Sequence, residues 1–193
     1  MYRDVRSHGF VSTWHDACEE TREMALAWGW IRDAVIGDAA LTDDLCRRSR
    51  PFGGDPPPRF AADLQAHIET RIFREAIRQP HKIHSNYPRR EICLATLHHL
   101  LGSPEDRVAG DRIVEEMLEG ATAVDGVTGE KGLAGYSAYV IQGLAIYLAG
   151  RERREPGWVA GLLARHPKLA LTWRFHLDTW CFESYYPTIG DTL

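Results

Sequence analysis

SNYPRREICLATLHHLLGSPED, residues 85–106, contains a helix start, a helix body, a stop and a second start. Pro88 suits a first helical position, because its missing N–H would have no intrahelical partner there. Ile92, Ala95, Thr96 and His99 then recur at three-and-four spacing, with Leu94, Leu97 and Leu101 broadening the apolar face. Gly102 closes the helix. Directly after it, Ser103 can cap a new helix, Pro104 fits its first turn, and Glu105 and Asp106 favour the positive end of its dipole. So short a connection predicts antiparallel neighbours.

The same period runs outward in both directions. Trp14, Ala17, Thr21, Met24, Ala25, Trp28, Ile31 and Val35 predict a first helix over about residues 13–36, stopped by Gly37. Residues 47–59 carry Pro51, Gly53, Gly54, Pro56, Pro57 and Pro58, which excludes regular structure and predicts a connecting loop. Leu64, Ile68, Ile72 and Ala76 mark a second helix from about Phe60 to Arg78, ended by Gln79-Pro80. The helix begun at Ser103 ends near Gly120. Beyond a glycine-rich loop, Tyr136, Tyr139, Val140, Gly143, Leu144, Tyr147 and Leu148 form a fifth apolar face, with Gly150 as its expected stop. Two shorter helices are expected over about 156–165 and 167–179, and a turning or extended tail over 185–191.

No period-two alternation long enough for a sheet occurs, so the chain reads as all-α. Such helices pack either as a bundle or as helical hairpins around an axis. The polar loops before helices three and five open at helix N-termini two helices apart, which in alternating hairpins places them at one end, where an α/α toroid has its cleft.

With 193 residues, 44% hydrophobic and 26% charged, the chain reads as one helical domain over 1–193. Its net charge of −4 gives no overall attraction for nucleic acid or an anionic membrane. A polyanion would need a local basic patch, for which Lys82, Arg89 and Arg90 are the candidates; the alternative is a solvated face. Cys18, Cys46, Cys93 and Cys181 form no CxxC pair, and His98 and His99, as helix neighbours, point in different directions, so no metal site or cofactor is expected. No secretion signal or membrane-spanning run is evident in the sequence.

Two polar blocks remain. His84-Ser85-Asn86-Tyr87-Pro88 precedes one helix, and Asp125-Gly126-Val127-Thr128-Gly129-Glu130-Lys131-Gly132-Leu133-Ala134-Gly135-Tyr136 precedes another. Together with the closing Tyr185-Tyr186-Pro187-Thr188-Ile189-Gly190-Asp191, they resemble the helical domain of heparinase II/III-type polysaccharide lyases, alginate lyase relatives included. That resemblance implies β-elimination at a uronic acid residue of an acidic polysaccharide. It gives Asn86 the role of neutralising the substrate carboxylate and Tyr136 that of proton transfer at the scissile bond. The sugar is expected between the loops at 81–90 and 125–136, with Lys82, His84, Arg89, Glu130, Lys131 and Tyr139 as its contacts. A phenol with a pKa of roughly 10 needs nearby positive charge to act as a base, from Lys131, Arg89 or a histidine.

The resemblance also implies a β-sandwich part beyond Gly190-Asp191, so the chain reads as the helical fragment of a larger periplasmic or secreted lyase, weakly active or inactive alone. One departure is Pro88, where many such lyases carry His or Gly shortly after the Asn. The competing reading is a non-catalytic scaffold or carbohydrate-binding relic. In it Asn86 caps a helix, Tyr136 is a half-buried aromatic and Glu130 complements a helix dipole. His176, Asp178, Trp173 and Trp180 line a sugar-binding wall or fill a core.

Overall fold

The computed structural model describes residues 17–49, 58–123, 126–127 and 136–188, and for Ala123, Val127 and Tyr136 the backbone alone. The expectations for Trp14, for the loop residues 50–57, for Asp125, Glu130 and Lys131, for the Tyr136 side chain and for Gly190-Asp191 lie outside the described residues. What is described is all-α, apart from one two-residue antiparallel ladder.

In chain order the helices are α1 (Ala17–Gly37), α2 (Ala39–Ser49), α3 (Ala61–Ile68), α4 (Glu75–Arg78), α5 (Arg89–Leu101), α6 (Pro104–Ala121), α7 (Tyr136–Arg154), α8 (Trp158–Arg165) and α9 (Leu171–Asp178). A π-helical segment, Glu69–Arg74, joins α3 to α4, and 3-10 turns occupy Pro80–Ile83 and Pro167–Ala170. Strand β1 (Thr122–Ala123) pairs with β2 (Gly126–Val127).

Several stops and starts follow from single residues. Gly102 ends α5 in the left-handed conformation at φ 69°, its N–H donating to the His98 carbonyl at 3.0 Å. Ser103 caps α6 as expected: the Asp106 N–H donates to its Oγ at 3.1 Å, and the Oγ donates to the Asp106 carboxylate at 2.9 Å. Helix α2 was not expected. Asp38 creates it, accepting the Leu41 N–H on its carboxylate at 3.0 Å and the Thr42 N–H on its carbonyl at 2.9 Å. Gly150 does not stop α7, which runs on to Arg154. The turn comes at Gly157 instead, at φ 89°, where the Glu152 carboxylate accepts the N–H groups of Gly157 and Val159 and caps α8.

The chain divides into two compact units. The first comprises residues 1–85 and 96–107. In it α1 packs with α2, α3 and the π segment through Ala25, Trp28, Ile72 and Phe73. Within the π turn the consecutive Ile72 and Phe73 are both buried. Ile31, expected on the buried stripe of α1, is exposed, and the stripe ends at Trp28. Polar groups here are tied to partners: Trp28 Nε1 donates to Glu69 at 3.1 Å, and Arg74 grips Asp106 with both guanidinium nitrogens at 2.5 Å.

The second unit comprises residues 86–95 and 108–193. Its core is built from Ile92 and Ala95 of α5, Val114, Met117 and Leu118 of α6, Val140, Leu144, Tyr147 and Leu148 of α7, with Leu162 and Leu169. Trp173 packs against this cluster, so that member of the expected sugar wall is core.

Candidate functional site

Asn86 sits in the turn that opens α5. Its carbonyl accepts the Arg89 N–H at 2.8 Å, and the Pro88 carbonyl accepts the first helical bond, from Ile92, at 3.0 Å. Pro88 is therefore the residue before the helix rather than its first residue. The turn is pinned through Tyr87, whose hydroxyl donates to the Met117 carbonyl at 3.1 Å.

Inside this turn the polar accounting does not close. Among the described residues, six buried side-chain N or O atoms have no hydrogen-bond partner, and three of them fall within residues 85–91: Ser85 Oγ, Asn86 Nδ2 and Glu91 Oε2. Native structures pair nearly all such atoms, with protein groups or with ordered water. The Asn86 amide nitrogen is shielded from solvent, where a donor left without an acceptor costs about 1–3 kcal/mol.

Arg89 and Tyr139 are brought together. The Arg89 guanidinium, on a side chain only 9% exposed, lies 5.5 Å from the centre of the Tyr139 ring, and Tyr139 is 60% exposed. The contact joins the first turn of α5 to the first turn of α7, the turn that Tyr136 opens.

The expected basic patch does not form a solvated cluster. Lys82 is buried, with its Nζ on Glu75 at 2.7 Å, so it is committed to an internal ion pair. Arg90 spends its charge on Glu91 at 2.7 Å, and Arg89 is buried against Tyr139. His84 is exposed. His98 and His99 are both largely buried instead of dividing between core and solvent; His98 Nδ1 lies 2.9 Å from Asp106.

Two residues missed in the sequence belong to this turn, Tyr87 and Glu91. Burial raises the Tyr87 phenol above its ordinary pKa, and the charges of Glu91 and Glu116 push it the same way, so it remains a donor at neutral pH. Glu91 occupies the third position of α5, where a Glu ordinarily reaches back to the N–H of the residue before the helix. That residue is Pro88, which has none. The conflict arises only because the helix starts at Arg89; with Pro88 as its first residue Glu91 would fall one position later.

On α9, His176 packs edge-on against Tyr186 at 5.8 Å and Trp180 against Tyr186 at 4.8 Å, while Asp178 is held by Arg174 at 2.8 Å. Burial lowers the His176 pKa. A shallow groove of about 430 Å³ lies elsewhere, lined by Leu148, Ala149, Glu152, Val159, Ala160 and Leu163 of α7 and α8. No group of three or more His, Cys, Asp or Glu among the described residues is placed to hold a metal ion, none of the four cysteines forms a disulfide, and no described helix is long and apolar enough to cross a membrane.

No protein-family model, curated protein or solved structure matches the chain.

Proposed function

We propose that the chain is the helical catalytic part of a polysaccharide lyase, an incomplete α/α toroid that cleaves uronic-acid-containing polysaccharide by β-elimination. The observation that carries this reading is the shielded, unpartnered Asn86 amide in the turn that opens α5. An amide donor against a uronate carboxylate stabilises the charge that develops there when the C5 proton is removed. The electron pair of the C5–H bond forms the C4=C5 double bond, the C4–O bond breaks, and the departing oxygen takes a proton.

Tyr136 is the group proposed to move that proton. Arg89 supports the assignment, since it holds a positive charge against the first turn of α7. Tyr139, 60% exposed beside Arg89, offers an aromatic face to a sugar ring.

The test is incubation with polyuronate oligomers while the ultraviolet absorbance of the conjugated uronate product is followed. Asn86→Ala and Tyr136→Phe are expected to abolish product without loss of helicity. Unchanged product formation by Tyr136→Phe overturns the reading.

The relic reading has one observation in its favour. The groove of about 430 Å³ between α7 and α8 is lined by the second half of α7 and by Val159, Ala160 and Leu163 of α8, not by Asn86 or Tyr139. A chain that binds uronate oligomers there, with no turnover, would be such a relic.

A further inference from the structure

We draw no further inference here: the strongest candidate, the exposed apolar stripe of Ala27, Trp30, Ile31 and Ala34 on α1, carries no proposal because nothing in the structure shows what covers it.

Discussion

The Tyr87 hydroxyl and Gly120 occupy one place: a Cβ added at Gly120 would stand 2.7 Å from Tyr87 Oη, closer than van der Waals contact allows. Gly120 therefore does more than end a helix. It leaves the notch into which Tyr87 lowers its ring to reach the Met117 carbonyl, and so fixes the turn that carries Asn86.

From this follows a graded pair of variants. Gly120→Ala should displace the phenol at a cost of about 1–3 kcal/mol, offset by the roughly 1 kcal/mol that Ala gains over Gly inside α6. Tyr87→Phe keeps the ring and loses one hydrogen bond, about 1 kcal/mol. Urea unfolding midpoints check both, and a Gly120→Ala chain more stable than the wild type would contradict the packing described.

A second glycine is demanded by its neighbour more strictly. Gly126 stands at φ 98°, and a Cβ there would lie 2.4 Å from the Thr172 backbone nitrogen, so strand β2 rests directly on the start of α9. Gly126→Ala meets both left-handed strain and immovable backbone. It should cost more than Gly120→Ala, about 2–4 kcal/mol, with accelerated amide exchange in both β2 and α9. Exchange limited to β2 would show that the two are not coupled.

Asp106 gives a pH prediction. Burial alone would raise its carboxyl, but hydrogen bonds from Arg74, His98 and Ser103 outweigh that and hold it well below its ordinary value of 3.8. A carboxylate with a depressed folded-state pKa contributes stability that is complete above the unfolded value and is lost as pH falls through the folded one. Asp106→Asn should therefore cost roughly 3 kcal/mol near neutrality, and the gap to wild type should close as pH drops below about 4. A gap that stays constant down to pH 2 would contradict the network.

Sequence periodicity was enough for α5, α6 and the α3–α4 run because their apolar faces are regular and their ends carry local signals, Gly102 and Ser103 above all. Helix α2 escaped because its residues are largely polar and its one cue, Asp38, lies beside a glycine that reads as a terminus. Gly150 misled for the opposite reason. A glycine in a helix interior costs only about 1 kcal/mol, and the packing of Leu144, Tyr147 and Leu148 before it outweighs that.

For the site, local chemistry was readable and long-range pairing was not. Asn86 stands out from its position in a helix-opening turn. That Lys82 would be spent on Glu75, or that Arg89 would lie over Tyr139, depends on how the chain folds back, which no spacing rule encodes.

A titration of unsulfated mannuronate tetramer into the nitrogen-labelled chain, followed residue by residue in two-dimensional NMR spectra, tests the proposed site at Asn86. Saturable shifts are expected in the Asn86 side-chain amide, the backbone of Arg89 to Glu91, and the first turn of α7. Shifts confined to the α7–α8 groove, or none at all, would contradict that site.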